Sequence, residues 1–377
     1  MNLRRTWAIA HKETLHILRD PRSLIMALAI PCLLLLLFGY ALTLDVDRVP
    51  LVVLDHDNSP TSRELVARFD GSRYFATRRY VNSYADIEQD IDHRLALVAL
   101  VIPPDFARNL LSNRDAQVQL LVDGTDSNTA SLAIGYAEAL VLTYSQQFSI
   151  TLAKRLYGHT IDPPLELRPR VWFNPLMQSR NDIVPGLIAV IMMIIAALLT
   201  SLTIAREWET GTMEQLIATP IRGSELITGK LLPYFALGLI DVAMAALMGR
   251  YLFHVPIRGS IALLFLLATI FLTGSLALGI LFSIVAKSQL LANQLAMIVT
   301  FLPAFLLSGF MYPIRNMPDA VQLVTYLIPA RYFIALLRSL YAKGVGLDVL
   351  YPDTLLLVLF GVIMAVLAHR KFRKSLV

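Results

Sequence analysis

Residues 23–44 read SLIMALAIPCLLLLLFGYALTL and contain no charged side chain. A helix of about 20 apolar residues is long enough to cross the ~30 Å hydrocarbon core of a bilayer. A cleaved signal peptide is the alternative, but its apolar core is usually only about 7–15 residues long. We therefore predict that residues 23–44 form an uncleaved transmembrane helix.

Five further stretches of the chain are similarly apolar, and they cover residues 183–205, 231–248, 260–286, 290–311 and 350–368. The 377-residue chain is 56% hydrophobic and 16% charged. Soluble domains are about 45–50% apolar and about 25% charged. This composition excludes a disordered protein, a disulfide-rich secreted scaffold and an ordinary cytosolic enzyme. The predicted fold class is a polytopic α-helical membrane protein with six transmembrane helices.

The orientation follows from the lysines and arginines near the predicted helices, because these residues are retained in the cytoplasm. Thirteen lie in segments that share a side with the N-terminus, and six lie in the short segments opposite. Both termini are therefore predicted to be cytoplasmic. In a bacterium this places the chain in the inner membrane, with residues 45–182 in the periplasm.

Residues 45–182 are polar enough and long enough to form one independent domain. Strand patterns cover residues 48–55, 74–81, 95–103 and 116–124. Helix patterns cover residues 59–69, 83–91 and 104–111, and a long helix capped by Asp126 or Ser127 extends to about Tyr157. Ser59 and Pro60 are typical of a helix start. We predict an α/β domain inserted between the first two transmembrane helices.

Residues 1–22 form a candidate amphipathic helix. At 100° per residue, its apolar side consists of Leu3, Trp7, Ala10, Leu15 and Leu18. The opposite side is basic and contains Arg5, Lys12, His16 and Arg19, with Ile9 as the exception. A basic amphipathic helix before a transmembrane helix is typical of the membrane interface. Anchoring alone and contact with a cytoplasmic partner both remain open.

The cytoplasmic loop at residues 206–230 is acidic where such loops are normally basic. It contains Glu207, Glu209 and Glu214. Thr212 is placed to cap a short helix that starts at Met213, with Gln215 completing a capping box. Pro220 would end that helix after two turns. A rigid acidic helix here could bind a partner, although a solvated connecting turn is the simpler alternative.

Signatures of catalysis or metal binding are mostly absent from the sequence. Residues 223–230 (GSELITGK) are similar to a phosphate-binding loop, but five residues separate the glycines instead of four, and Leu231 replaces the Ser or Thr that would bind Mg²⁺. The seven histidines lack ligand spacing, and no Lys/Arg block indicates nucleic acid as a partner. We predict no metal site, no catalytic residue and no bound cofactor in this chain.

Asp241 is the only acidic residue well inside a predicted transmembrane helix. A charge at mid-membrane is unfavourable by about 2.5–3.5 kcal/mol, so such residues usually face a cavity or pair within the bundle. One hypothesis is that Asp241 lines a transport pathway and selects cationic substrates. The alternative is a protonated or hydrogen-bonded carboxyl group between helices.

Several motifs together resemble ABC-2-type transport permeases. The loop motif E-x-E-x-G-T-x-E-x-L lies at residues 207–216. Further similar stretches lie at residues 12–13, 19–22, 122–129, 307–313, 317–318, 325–332 and 337–338. The resemblance extends over essentially the whole chain and is greatest to the drug-export branch, which has a long outer domain.

This resemblance implies a permease half that pairs with a second half, either the same chain or a paralogue, and with two ATP-binding cassette subunits that bind ATP and Mg²⁺. The family's coupling contact with the ATPase corresponds to Glu207, Glu209, Gly211, Thr212, Glu214 and Gln215. The N-terminal helix corresponds to the family's interface helix, with Trp7, Lys12, Glu13 and Arg19. The implied substrate is a drug-like or lipophilic compound, and an adaptor protein in the periplasm is a further candidate partner.

The outer segment at residues 312–349 is apolar but contains charged residues. The resemblance implies re-entrant helices that close the outer end of the pathway. Candidate pathway residues are Asp241, Pro329, Arg331, Tyr332 and Arg338. An ordinary amphipathic outer helix is the alternative for this segment.

Two other functional classes predict different features from those of a permease. An ion-coupled secondary transporter would be expected to contain internal repeats and several ionisable groups near the midplane. A membrane-anchored periplasmic sensor would need a cytoplasmic signalling domain, whereas the longest inner segment has about 25 residues. The pattern of the chain favours the permease over both.

Overall fold

The computed structural model describes residues 2–42, 47–112, 114–157, 172–174 and 178–372. The chain divides into two units. One consists of Met1–Leu44 together with Arg170–Val377, and the other is Asp45–Pro169. We refer to them as the helical unit and the α/β unit and describe each by itself.

The chain begins with helix α1 (Leu3–Arg19), whose first turn is capped by the side chain of Asn2. The predicted helix is confirmed. The residues buried against the helical unit are Thr6, Ile9, Ala10, Glu13 and Ile17. Of the predicted apolar side only Ala10 is buried, and Leu3, Trp7 and Leu18 are exposed.

The first apolar stretch consists of α2 (Pro21–Leu24), a π-helical turn (Ile25–Ala29) and α3 (Ile30–Ala41). Pro31 accounts for the irregular turn, because it has no N–H to donate to the carbonyl four residues earlier. The apolar helix at Ala27–Ala41, which includes the end of the π-helical turn, is shorter than the long apolar helices described below. The predicted end at Leu44 lies outside the described residues.

The α/β unit is built on a four-stranded sheet with the order β2-β1-β3-β4. The strands are β1 (Val49–Asp55), β2 (Phe75–Tyr80), β3 (Val98–Ile102) and β4 (Gln119–Val122). Strand β1 is parallel to β2 and β3, and β4 is antiparallel to β3. All four predicted strands are confirmed.

Helices α4 (Pro60–Asp70), α5 (Tyr84–Asp92), α6 (Phe106–Leu111) and α7 (Ser127–Tyr157) connect and cover these strands. Ser59 and Ser62 form a reciprocal capping box at the start of α4. Asp126 accepts from the backbone N–H of Asn128 at 3.1 Å, so it caps α7. One sheet face packs on α4, α6 and α7, and the other packs on α5. The predicted helices of this segment are confirmed.

The rest of the helical unit is almost entirely α-helical. Its helices are α8 (Arg180–Glu209), α9 (Thr212–Ala218), α10 (Gly223–Leu247), α11 (Ile261–Ala286), α12 (Gln289–Ala296), α13 (Leu302–Leu306), α14 (Asp319–Thr325), α15 (Pro329–Ala342) and α16 (Leu347–Lys371). A π-helical turn extends α10 to Leu252, and another joins α12 to α13. Helix α8 is buried nearly all round, as expected for a helix that is apolar on every side.

Buried polar contacts join α8 to α11. The Ser283 hydroxyl accepts from the backbone N–H groups of Ile204 at 2.9 Å and Ala205 at 2.8 Å. Thr200 donates to the carbonyl of Leu276 at 3.1 Å. Small polar side chains of this kind link helices within membranes, where water cannot satisfy backbone groups. Helix α8 therefore forms the centre of the helical unit.

Five helices among the described residues are long and apolar enough to cross a membrane, and they lie at Arg180–Glu209, Gly223–Leu252, Ile261–Ala286, Gln289–Leu306 and Leu347–Lys371. A polytopic helical membrane protein fits this finding, while the count of six transmembrane helices stays a prediction. The predicted end at Met311 is wrong, because that helix ends at Leu306. The last helix spans Leu347–Lys371, so it begins three residues before the predicted start at residue 350.

The segment after α13 contains two helices with a sharp bend between them. Helices α14 and α15 meet at 83°. This geometry is that of a broken transmembrane helix or a re-entrant loop. It favours the predicted re-entrant segment over one continuous amphipathic helix.

Candidate functional site

The predicted loop at residues 206–230 is mostly helical. Glu207 and Glu209 lie in the last turn of α8, and residues 223–230 form the start of α10. Irregular backbone is confined to residues 210–211 and 219–222. The short helix α9 between them ends before Pro220, as predicted.

The predicted capping box on Thr212 is wrong. Helix α9 begins at Thr212 itself, and its N-cap is Gly211, whose φ of +73° lies in the left-handed region that favours glycine. The Thr212 hydroxyl donates instead to Oε2 of Glu207. The geometry that starts α9 therefore depends on a glycine, and Thr212 ties α9 to the end of α8.

Lys230 is the centre of a buried ion cluster. Its side chain is 3% exposed, and Nζ donates to Oε2 of Glu13 at 3.1 Å and to Oε1 of Glu207 at 2.9 Å. A third, longer bond goes to the carbonyl of Thr203 at 3.4 Å. We call Glu13, Glu207 and Lys230 the Lys230 cluster. It joins α1, α8 and α10 at a single point.

Two more side chains complete the polar environment of the Lys230 cluster. Lys12 lies 3.3 Å from Oε1 of Glu207, and the Tyr234 hydroxyl donates to Oε1 of Glu13 at 3.3 Å. Two carboxylates and two ammonium groups therefore balance in charge. Removing one partner of a buried ion pair typically destabilises a protein by about 3–5 kcal/mol, because the remaining charge is left unpaired. The cluster thus fixes the position of α1 against α8 and α10.

The residues of the apparent phosphate-binding loop serve helix packing. A Cβ atom on Gly229 would lie 2.8 Å from Cβ of Ile9 and 2.9 Å from the carbonyl oxygen of Thr6. Glu225 accepts from the backbone N–H of Asn2 at 2.6 Å. Gly229 therefore allows the close approach of α1 to α10, and Glu225 fixes the start of α1.

A cavity of about 290 Å³ adjoins the Lys230 cluster. Its walls include Leu199, Leu202 and Tyr234 as well as the cluster itself. Arg206 and His16 lie at the same cavity, with Nη1 of Arg206 2.5 Å from Nε2 of His16. The cavity thus has both charged and apolar side chains in its walls.

Glu209 connects α8 to a different helix from Glu207. Its carboxylate accepts from the backbone N–H of Gln289 at 2.8 Å and from Nε2 of the same residue at 2.5 Å. It therefore caps the N-terminus of α12, where a negative charge is favoured. Lys287 adds a cation–π contact, with Nζ 5.1 Å from the ring centroid of Trp208. The end of α8 thus contacts α1, α10 and α12.

The remaining predicted contact residues lie on the surface. Glu214 and Gln215 are exposed on α9. Trp7 is 66% exposed on α1, and Arg19 is also exposed. These four side chains are therefore accessible from outside the helical unit.

The model of the ABC-2 family transporter proteins matches residues 21–370. The chain belongs to this family. It is 36% identical to the Probable multidrug ABC transporter permease YbhS of Escherichia coli strain K12, over 100% of this chain and 98% of that protein.

Two further relatives extend the comparison. The Probable multidrug ABC transporter permease YbhR of the same organism is 30% identical, over 98% of this chain and 99% of that protein. ABC transporter G family member 20 of Dictyostelium discoideum is 26% identical over 98% of this chain, which covers 51% of that protein. The ABC-2 permease described here is accordingly a multi-pass membrane protein.

The candidate pathway residues of this ABC-2 permease lie in two places. Asp241 is buried on α10, where it adjoins side chains of α3, α8 and α11. Pro329 starts α15, and the Arg331 guanidinium stacks on the Tyr326 ring 3.8 Å from its centroid. The Tyr332 hydroxyl donates to the carbonyl of Tyr326 at 2.7 Å. These contacts hold the bend between α14 and α15.

Arg338 has a structural set of partners. It lies 2.8 Å from a carboxylate oxygen of Asp182 and donates to the carbonyl of Gly309 at 2.9 Å. It thereby joins α15 to the start of α8 and to the segment after α13. A role for Arg338 in the pathway stays a prediction.

Lys230 and Tyr234 are the site residues that sequence reasoning missed. Lys230 is the only charged residue between Glu225 and Asp241. A lone cation near the start of an apolar helix is a signal for a buried partner. The partner Glu13 is 217 positions away, so the pairing itself is not visible in the sequence.

Gly211→Ala tests the helix start. A Cβ atom at this position has open space, so only the left-handed backbone opposes it. We expect about 1 kcal/mol of local destabilisation, and hence amide hydrogen exchange in α9 that is about five-fold faster. Gly124→Ala is the control, since Gly124 also faces open space and has no left-handed φ. If amide hydrogen exchange in α9 is unchanged in Gly211→Ala, the start of α9 does not depend on the left-handed glycine.

Proposed function

We propose that this permease is the membrane-spanning subunit of an ATP-driven exporter. It moves a drug-like or lipophilic compound out of the cytoplasm, or out of the inner leaflet, of a bacterial inner membrane. ATP and Mg²⁺ bind to a separate ATPase subunit. The names of the two E. coli relatives, which describe multidrug ABC transporter permeases, support this class of substrate.

The observation that carries the proposal is the Lys230 cluster beside α9. The exposed residues of α9 and α1 offer a surface to the ATPase, and the buried cluster joins α1 to α8 and α10. The excess of lysines and arginines on this side of the predicted topology supports a cytoplasmic location for both termini.

The mechanism follows from the contacts by which the Lys230 cluster holds α1, α8 and α10 together. A ligand shifts a two-state equilibrium only by its differential interaction with the two states. If ATP closes the ATPase against α9 and α1, the Lys230 cluster passes that displacement to α8 and α10. Glu209 passes it to α12 through Gln289. A second permease half would complete the pathway, and an adaptor protein would bind the α/β unit.

Glu214→Lys tests the ATPase contact. Affinity purification of the tagged chain from its native membrane in mild detergent is expected to yield an ATP-binding cassette subunit in about equal amount. Glu214→Lys reverses an exposed charge at the proposed contact. We expect it to lower that yield by about ten-fold or more, because the lysine would repel the basic surface that is expected to bind an acidic side chain. Mass spectrometry measures the yield.

Glu138→Lys is the matched control, since Glu138 is an exposed glutamate of the α/β unit. It should leave the ATPase yield unchanged. Purification of the wild-type chain without any ATPase, together with ATP-independent transport, would contradict the proposal and favour a secondary transporter.

A further inference from the structure

Asp241 carries a carboxyl group that the fold buries without satisfying. Its side chain is 3% exposed, and Oδ1 has no hydrogen-bond partner within the described part of the chain. Burying an unpaired carboxylate is strongly unfavourable. A positive charge bound next to the Asp241 carboxylate would therefore be stabilising.

Two small voids flank Asp241. The first lies between α3, α8 and α10 and is also lined by Cys32 and Met192. The second lies between α8, α10 and α11 and is also lined by Leu199 and Tyr234. Leu199 and Tyr234 also line the 290 Å³ cavity at the Lys230 cluster. The second void and the cavity at the Lys230 cluster thus share two wall residues, so they are neighbours within the helical unit.

The walls around Asp241 identify the kind of cation that fits. Small inorganic cations such as Ca²⁺ and Mg²⁺ need about six or more oxygen ligands. Nowhere in the described ranges do three or more His, Cys, Asp or Glu side chains form a group that could hold a metal ion. A single carboxylate surrounded by aliphatic and methionine side chains instead matches a cation with an apolar body.

We propose that Asp241 is the cation-recognition point of a substrate site for lipophilic organic cations, reached from the cavity beside the Lys230 cluster. This rests on the proposed export function and names its substrate class. Each void has a volume of about 10 Å³, which is about the room that one water molecule needs. A drug-sized cation therefore binds when α8 and α10 move apart, and those two helices are joined at the Lys230 cluster.

Binding of tetraphenylphosphonium to the purified full chain, measured by equilibrium dialysis, tests the proposal. Asp241→Asn preserves the shape but removes the charge, so we expect Kd to rise by about ten-fold or more. Asp241→Glu keeps the charge and should stay within about three-fold of wild type. The neutral probe N-phenyl-1-naphthylamine should bind wild type and Asp241→Asn alike.

A second measurement needs no variant. Cys32 is the single cysteine of the chain and lines the same void as Asp241. Saturating tetraphenylphosphonium is expected to slow alkylation of Cys32 by N-ethylmaleimide, followed by mass spectrometry of the peptide that contains it. The rate of Cys32 alkylation without tetraphenylphosphonium is the reference.

The outcomes separate the two proposals. Tetraphenylphosphonium that fails to bind wild type, binds Asp241→Asn equally well, or leaves Cys32 alkylation unchanged would overturn the cation site. In that case an ATPase that still co-purifies would leave the export function standing. Loss of the ATPase from the wild-type preparation would instead count against the proposed function.

Discussion

Replacing Lys230 with Met is expected to destabilise the helical unit more than any other single change considered for this permease. Lys230 is the shared partner of Glu13 and Glu207, so its removal leaves two buried carboxylates facing each other. We expect a loss of about 3–5 kcal/mol, the usual effect of breaking a buried ion pair from one side. Thermal unfolding of the detergent-purified chain measures it.

Two variants make this prediction specific. Lys12→Met removes the other lysine that contacts Glu207, but the Lys12 side chain is 59% exposed, so its loss should be about 0–1 kcal/mol. Adding Glu13→Gln to Lys230→Met removes the carboxylate that loses its lysine partner, whereas Glu207 keeps Lys12, and should restore part of the stability. Equal losses of stability in Lys12→Met and Lys230→Met would contradict the prediction that the buried Lys230 holds α1, α8 and α10 together.

Gly229→Leu is expected to have the second largest effect, through a different physical cause. Any side chain at this position meets Ile9 and the backbone of Thr6, and the backbone contact cannot be relieved by a side-chain rotation. Overpacking of this kind typically destabilises by about 1–3 kcal/mol. We expect α1 to separate from α10, with faster amide hydrogen exchange in α1 and a lower yield of co-purified ATPase.

A smaller side chain and a distant glycine are the controls for that experiment. Gly229→Ala should move α1 less than Gly229→Leu, since only the Cβ atom has to be accommodated. Gly135→Leu adds the same side chain to α7, where it meets open space, and should leave α1 unchanged. If α1 keeps its exchange protection in Gly229→Leu, the close approach to α10 does not hold α1 in place.

Features that depend on local chemistry were predictable from the sequence. The start of α4 follows from Ser59 and Pro60, because a capping side chain and a proline at the first helical position act within one turn. The strands of the α/β unit follow from short apolar runs bounded by turn residues. The end of α9 before Pro220 has the same kind of cause.

Features that depend on distant partners were not predictable. The buried face of α1 contains Glu13, which no count of apolar residues would place inside, because its partner Lys230 lies on α10. Likewise, Glu207 and Glu209 look equivalent in the loop motif but bind different helices. The left-handed Gly211 is the N-cap in place of the predicted Thr212, so α9 starts at Thr212 and not at Met213, since backbone geometry outweighed the side-chain pattern.

Site-directed photo-crosslinking in the native membrane tests the central claim, that the surface of α9 and α1 binds an ATPase. The photoreactive residue p-benzoylphenylalanine replaces Gln215 on α9 or, in a second variant, Trp7 on α1, both of which are exposed. We expect a covalent adduct with an ATP-binding cassette subunit from both positions, and none from Glu138 of the α/β unit. Adducts with that subunit from position 138 but not from 215 or 7 would contradict it.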